Sequence, residues 1–416
     1  MIRGNICLNA HPAGCAREVE NQISYVRSKN ASRGRVPAGP VAGGSHAEGR
    51  SKPLGAVLVL GCSTGYGLAS RITAAFGYGA ATVGVSFEKE GSETRSGTPG
   101  WYNNMAFDRA AKKAGLASVT INGDAFSDAV RLRVIESAKA MGLTFDQVIY
   151  SLASPVRTDP DTGTLYRSVL KPIGAPYSGK TVDPMTGNLM ETSAESATEE
   201  EIAQTVKVMG GEDWERWITQ LEKAGVLSRG CATVAYSYIG PSLSHAIYRD
   251  GTIGGAKKHL EQTARTLSAG MSRTIGGSAF VSVNKGLVTR SSAVIPIIPI
   301  YLAVLFKVMK ERGSHEGCIE QIERLYAERL LAGAPVSVDG DGLIRIDELE
   351  MDAAVQGEVV SRLSRISAGA AGAPSGIGDL WDLDGYRHDF LAASGFDIRG
   401  IDYEADVARM DTIGEV

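Results

Sequence analysis

The feature that most constrains this chain is the stretch from Ala56 to Phe76. Five apolar residues (AVLVL, 56–60) run directly into Gly61-Cys62-Ser63-Thr64-Gly65-Tyr66-Gly67 and then into an amphipathic segment. A continuous apolar run of that length marks a strand buried on both faces, as in a parallel sheet. The glycines then meet three needs. One allows the tight turn, one lets the backbone approach a pyrophosphate, and one lets the next helix pack closely on the strand. The helix N-terminus faces the phosphate charge. The stretch therefore predicts a βαβ unit with a dinucleotide site at its turn.

The same alternation continues. Residues 81–85, 118–121 and 147–151 read as strands, with helical patterns at 101–115 and 128–141 between them. Strands resume at 233–237 and 279–283, with a helix at 256–267. This predicts an α/β fold: an enlarged Rossmann, doubly wound parallel sheet. Residues 156–210 interrupt the pattern with two hairpin turns, TDPDTGTLY and VDPMTGNLMET, and helices follow at 199–209 and 213–224. Residues 31–53, rich in Gly, Ala, Ser and Pro, read as a linker. Helical pattern covers 300–332, and 341–355 read as a short strand followed by a helix. We divide the chain into an N-terminal segment and linker (1–53), a first dinucleotide-binding half (54–155), an insertion (156–230), a second half with the active site (231–330) and a C-terminal extension (331–416). All five form one compact domain.

Charge and cysteine content narrow the function classes. Lys+Arg is 43 and Asp+Glu 47, for a net charge of −4. That balance supplies no bulk basic surface for nucleic acid or an anionic membrane. Cysteines 7, 15, 62, 231 and 318 form no CxxC, and the six histidines form no HExxH. Neither a disulfide framework nor a metal site is indicated. The N-terminus lacks the apolar core of a signal peptide, so the chain reads as cytoplasmic with free thiols. The most apolar stretch, 293–306, carries Pro296 and Pro299. It is shorter than the ~20 residues a membrane span needs and reads as buried core.

The candidate chemistry lies at predicted strand ends. Glu88, 21 residues beyond Gly67, ends the second strand. A carboxylate there can bind the adenosine ribose hydroxyls and repel a 2′-phosphate, favouring NADH, although Lys89 adjoins it. Asn122-Gly123-Asp124-Ala125 would meet the adenine, and Asp124 could also cap a helix. Ser151-Leu152-Ala153 leaves room for the nicotinamide ribose. Tyr248 lies on a Gly-containing loop, and Lys257, after eight intervening residues, opens a helix. A phenol can donate a proton or bind an oxyanion, and a nearby ammonium favours its charged form and can hold ribose hydroxyls. Tyr236 and Tyr238 either share a strand face or Tyr238 swings into the turn. Each can be core, or can reach a substrate carbonyl. Residues 339–350 form only an incomplete calcium-loop ladder.

With these motifs the chain resembles the long enoyl-thioester reductases of the FabV type, also described as trans-2-enoyl-CoA reductases. They are enlarged relatives of the short-chain dehydrogenases. GCSTGYGLASRI, INGDAFSD, YSLASPVR, VMGGEDWE, TVAYSYIG, GTIGGAK, PIIPIYLAVLFKVMKERGSHEGCIEQI and YRHDFLAASGF carry the resemblance over nearly the whole chain. It implies that Gly61, Cys62, Ser63, Thr64, Gly65 and Tyr66 bind the cofactor phosphates and ribose. Phe87 and Glu88 would bind adenosine, with Glu88 selecting NADH, and Asp124 and Ala125 would contact adenine. Leu152 and Ala153 would lie by the nicotinamide ribose, and Gly286, Leu287 and Val288 by the nicotinamide, with Thr289 beside them. Lys257 would bind cofactor, Tyr238 substrate, and Tyr248 would be the catalytic acid. Residues 295–309 would border the acyl chain. Three departures stand out: a longer linker at 31–53, Arg249 where many members carry Trp, and Gly286.

The resemblance implies NADH-dependent reduction of trans-2-enoyl thioesters, on coenzyme A or acyl carrier protein, by a monomer, as the last reductive step of fatty-acid elongation. A carbonyl reductase on the same fold and an NADH sensor without turnover are the rival readings.

Overall fold

The computed structural model describes residues 2–3, 6–7, 9–33, 54–92, 94–289, 298–369 and 378–405. Its central sheet contains β1 (Ala56–Leu60), β2 (Ala81–Ser86), β3 (Ser118–Asn122), β4 (Phe145–Tyr150), β5 (Leu227–Ser237), β6 (Ser278–Val283) and β7 (Leu343–Arg345). The order across the sheet is β7-β6-β5-β4-β1-β2-β3. Every neighbouring pair is parallel. The chain winds outward from β1 to β3, then returns to the other side of β1 to place β4. That reversal opens a crevice at the carboxyl ends of β1 and β4, where doubly wound sheets bind their ligands.

The helices are α1 (Pro12–Ser32), α2 (Gly65–Ile72), α3 (Pro99–Lys113), α4 (Asp128–Ala140), α5 (Glu199–Met209), α6 (Glu212–Lys223), α7 (Thr252–Thr274), α8 (Ile298–Glu311), α9 (Cys318–Leu325), α10 (Ala353–Gly369) and α11 (Leu383–Ala392). Period-two alternation along β1 assigns them to faces. Val57 and Val59 pack with α1, α2, α3 and α9, whereas Leu58 and Leu60 pack with α4, α6 and α7. All five β1 residues are buried, which is why the strand reads as an unbroken apolar run.

A third core cluster joins α8, α10 and α11 to Leu287. α8 is apolar on all sides and buried from Ile298 to Phe306, as a helix sheathed by others must be. Among the described residues no helix is long and apolar enough to cross a membrane. Residues 290–297 lie outside the described residues, and among them are 295–297, the start of the stretch expected to border the acyl chain.

Both expected hairpins form, 156–158 with 165–167 and 177–182 with 189–194. The insertion reaches the start of α7, where the Lys171 N–H donates to Thr252 Oγ1 at 3.2 Å. Several boundaries differ from expectation. α1 continues to Ser32, and the expected linker beyond Arg33 lies outside the described residues. β5 starts at Leu227, ahead of a register shift between Leu227 and Ala232. α7 starts at Thr252 instead of residue 256, so Lys257 lies beyond its first turn. Gly254 and Gly255 argue against helix by propensity. Packing overrides them: a Cβ on Gly254 would overlap the Arg249 carbonyl oxygen, so only glycine lets the helix start against that turn.

Candidate active site

The Gly-rich turn is held in a cradle shape. The N–H groups of Gly61 and Cys62 both donate to the Val85 carbonyl, at 2.9 and 3.0 Å. Gly61 has φ +85° and Gly65 φ +55°, the left-handed region that favours glycine. A Cβ on Gly61 would overlap the Ser151 carbonyl oxygen, and one on Gly67 would overlap the Gly61 carbonyl oxygen. β1, β4 and α2 therefore meet at van der Waals contact. Thr64 caps α2 without a side-chain hydrogen bond, leaving the helix N-terminus to an anion. Cys62 is fully buried, with its thiol pKa raised by burial. Its side chain faces Asn104 at 3.6 Å, so only its backbone serves the turn.

The end of the crevice where adenosine is expected is organised by Glu88. Its Oε1 accepts the Ser63 hydroxyl at 2.6 Å. Its N–H donates to Asn122 Oδ1 and its carbonyl accepts from Asn122 Nδ2, at 2.8 and 2.9 Å. These bonds lock the ends of β2 and β3 together beside the phosphate turn. Gly100 of α3 leaves the room, since a Cβ there would overlap the Glu88 carboxyl. Phe87 projects at 78% exposure, an apolar ring free at the rim of the crevice. Asp124 Oδ1 accepts the Phe126 N–H at 2.9 Å, a local turn. The helix cap expected of Asp124 belongs to Ser127. Ala125 is buried, and its carbonyl accepts Trp217 Nε1 at 3.0 Å. Leu152 is half-buried and Ala153 exposed, just past β4.

The other end of the crevice lies where β5 ends and α7 begins, with Tyr238, Tyr248 and Lys257. Lys257 Nζ donates to the Tyr236 carbonyl at 3.1 Å. Burial pushes the Lys257 ammonium pKa down to about 8, and Glu261 opposes that shift. Burial pushes the Tyr248 phenol up to about 12. Its ring meets that of Tyr238 edge-on, with centroids 5.2 Å apart. Tyr236 and Tyr238 part company. Tyr236 turns into the sheet core and shares a 2.6 Å hydrogen bond with Ser70, while Tyr238 swings into the third cluster. The loop after β6 is tied to the Gly-rich helix, because Tyr66 donates to the Lys285 carbonyl at 2.6 Å and Gln321 Nε2 donates to Tyr66 at 2.8 Å. A Cβ on Gly65 would lie 3.9 Å from Thr289 Cγ2, so this loop borders the phosphate turn. Gly286 donates its N–H to Glu350 Oε2 at 2.7 Å, and Leu287 is buried beside it.

Sequence reasoning missed Glu350, Tyr301, Lys285 and Gln321. Each owes its place to long-range contact rather than local pattern. The acidic run 339–350 reads from sequence only as an incomplete metal ladder. In the structure Asp347 pairs with Arg345 at 2.7 Å, Glu348 pairs with Arg324 and Arg329, and Glu350 turns inward. A cavity of about 650 Å³ opens beyond Tyr238. It is lined by Ile239, Leu243, Arg249, Arg345, Met351 and Gln356.

Three family models match the chain. Residues 1–93 match the NAD(P)H binding domain of trans-2-enoyl-CoA reductase, 95–331 match the trans-2-enoyl-CoA reductase catalytic region, and 338–407 match an enoyl reductase FAD binding domain. The chain is 61% identical to the trans-2-enoyl-CoA reductase [NADH] of Treponema denticola, over 99% of each. It is 50% identical to the enoyl-[acyl-carrier-protein] reductase [NADH] of Cytophaga hutchinsonii, over 99% of this chain and 98% of that one. The crystal structure of the Treponema denticola trans-2-enoyl-CoA reductase in complex with NAD superposes with TM-score 0.90 at 60% identity, over 99% of this chain and 98% of that one. The Clostridium acetobutulicum trans-2-enoyl-CoA reductase in complex with NADH gives 0.89 at 40% identity, with the same shares covered.

The crevice fits a nicotinamide dinucleotide, because the glycine cradle and the uncapped α2 N-terminus both point to a pyrophosphate. The described residues after β7 do not fit a flavin dinucleotide. After β7 stand Asp347, Glu348, Glu350 and Asp352 in place of a glycine turn. Asp352 Oδ1 already accepts the Ala354 and Val355 N–H groups that open α10, at 2.9 and 3.1 Å. Carboxylates at that position repel a pyrophosphate.

Proposed function

Because the chain belongs to the family of NADH-dependent trans-2-enoyl-CoA and enoyl-acyl-carrier-protein reductases, we propose that Tyr248 is the acid of its reaction and Lys257 the cation that orients its cofactor. The enzyme reduces a trans-2-enoyl thioester with NADH and one proton to the saturated acyl thioester. Bound NADH supplies hydride to the β-carbon. Negative charge then develops on the thioester oxygen as an enolate, and the chain's own residues must stabilise it.

The observation that carries the assignment is the pairing of Tyr248 and Tyr238. Their rings stand edge to face, with Tyr238 packed on the third cluster that also holds Leu287 and Val288 of the loop after β6. Tyr238 already donates its proton to Glu350, at 3.1 Å. Burial holds the Tyr248 phenol protonated, with its pKa at about 12, ready to donate to the enolate oxygen. The α-carbon then takes one proton, and the oxygen returns its proton to Tyr248 as the carbonyl re-forms, so that one hydride and one proton are consumed. Glu88, fixed by Ser63 and Asn122, would accept both adenosine ribose hydroxyls and exclude a 2′-phosphate. Gly61, Cys62, Ser63, Thr64, Gly65 and Tyr66 would hold the pyrophosphate. Asp124 and Ala125 would flank the adenine, and Phe87 would cover it. Leu152, Ala153, Gly286, Leu287 and Val288 would enclose the nicotinamide end. Tyr238 would border the substrate as a ring rather than as a donor.

The test is NADH oxidation with crotonyl-CoA, followed by absorbance, in the wild type and in Tyr248→Phe. The wild type yields butyryl-CoA with NADH in preference to NADPH. Tyr248→Phe loses about 100-fold or more of turnover, the scale of a missing acid or oxyanion donor, and still binds NADH. Near-normal turnover in a folded Tyr248→Phe enzyme would remove Tyr248 from the role.

A further inference from the structure

Glu350 follows β7 in a turn and is fully buried. Three donors from three different parts of the chain converge on its carboxyl. Tyr301 of α8 donates to Oε1 at 2.6 Å, Tyr238 donates to the same oxygen at 3.1 Å, and the Gly286 N–H donates to Oε2 at 2.7 Å. A carboxylate only accepts hydrogen bonds, whereas a neutral acid must also place a proton of its own. Surrounded by donors, the carboxyl oxygens serve as acceptors, Oε1 for both phenols and Oε2 for the Gly286 N–H. Burial pushes the Glu350 carboxyl up, while Lys285, Tyr301 and the Gly286 N–H oppose it.

A phenol has a single proton. Tyr238 spends its proton on Glu350, directed away from the neighbouring ring. Tyr248, 5.2 Å away between centroids, has no hydrogen-bonded partner for its hydroxyl among the described residues. The ring of Tyr238 is also boxed in, because a Cβ on Gly286 would lie 3.2 Å from its hydroxyl oxygen. We infer that Glu350 is a positioning residue that divides the work of the two tyrosines. It takes the Tyr238 proton, fixes that ring against Tyr248, and ties both to the nicotinamide-end loop through Gly286, so that Tyr248 alone donates to the thioester oxygen. This rests on the reading of Tyr248 as the acid.

Steady-state kinetics with crotonyl-CoA and NADH test it in the wild type, Glu350→Gln, Tyr238→Phe and the double variant. An amide keeps the shape but turns N–H groups toward partners that are themselves donors. Glu350→Gln lowers kcat by roughly 10- to 100-fold, the scale of misplaced reacting groups, and moves KM by less than about threefold. On the Tyr238→Phe background the same change costs less than about threefold, because the partner is already gone. The full loss reappearing on that background, or wild-type turnover in Glu350→Gln, overturns the proposal.

If Glu350→Gln does not fold, Tyr301→Phe gives a second readout. It keeps the carboxylate and removes one donor, so the acidic limb of kcat moves to higher pH. The other groups facing Glu350 stay in place: Lys285 after β6, Tyr238 after β5, and Asp347 with its Arg345 partner in the same turn. An unmoved limb overturns the proposal. The two failures are distinguishable. The coupling of residues 350 and 238 is read with Tyr248 present, so an active Tyr248→Phe enzyme removes the acid assignment, and the division of work with it, whatever the coupling. A missing coupling, with Tyr248→Phe inactive, removes only the positioning role.

Discussion

At Lys257 burial and function pull in opposite directions. The ammonium is drawn into the crevice by its bond to the Tyr236 carbonyl, yet burial pushes its pKa from the ordinary lysine range down to about 8. Below that pH the group is charged. Above it the amine is neutral and still donates hydrogen bonds, but it no longer supplies a positive field to the cofactor ribose or the developing enolate. The expected result is a KM for NADH that rises as pH climbs through about 8 in the wild type. Lys257→Arg carries a guanidinium that stays protonated throughout, with pKa above about 12, so its KM stays flat over the same range even if its absolute value is worse. Initial rates against NADH concentration across that range decide the matter. A wild-type KM that ignores pH from about 7 to about 9 would show that the charge of Lys257 does not bind cofactor. The Tyr-x8-Lys spacing was visible in the sequence. The pKa shift was not, since it depends on what packs over the side chain.

At the scale of elements, the turn between β1 and α2 is where the sequence reading was strongest. Its demands are local: a buried strand, positive φ at Gly61 and Gly65, and close packing at Gly67. Gly67 is the most exacting of these. It sits in a right-handed helix, so an alanine there is acceptable by propensity. The obstacle is the Gly61 carbonyl oxygen, which a Cβ would overlap. Backbone cannot swing aside as the end of a flexible side chain can, so α2 must move off β1. Gly67→Ala is expected to cost about 1–3 kcal/mol of stability, the range of overpacking, and to raise the NADH dissociation constant by about tenfold or more, because the helix N-terminus withdraws from the phosphates. Denaturant unfolding and NADH fluorescence titration measure the two effects. Unchanged cofactor affinity in Gly67→Ala would mean that the α2 N-terminus is not the phosphate site. The start of α7 was misplaced for the same physical reason: Gly254 is tolerated because of a neighbour that sequence pattern does not show.

Across the whole molecule, legibility divides along the three core clusters. The two clusters on the sheet faces are built from strands and helices whose apolar periods announce themselves, so the parallel fold and its glycine turn were readable. The third cluster is joined by distance. Tyr238 meets Glu350 across 112 residues, and Tyr66 meets Lys285 across 219. No window of sequence records such pairs. The proposed reactive end is thus supported by α8, α10 and α11, while the proposed adenosine end is supported by β2, β3 and α3. The two ends should therefore respond separately to damage. Phe390 of α11 is 6% exposed and belongs to the third cluster with Phe306 and Tyr238. Phe390→Ala removes a buried ring far in sequence from the glycine turn, at an expected cost of about 3–5 kcal/mol. Loosening α8 also loosens Tyr301, and through Glu350 the ring of Tyr238. The KM for crotonyl-CoA should therefore rise more than the dissociation constant for NADH, which keeps its pyrophosphate and adenosine contacts. Equilibrium unfolding, cofactor titration and thioester kinetics on the same protein separate these effects. Equal rises in both constants would show that the C-terminal helices support the whole crevice and not its reactive end.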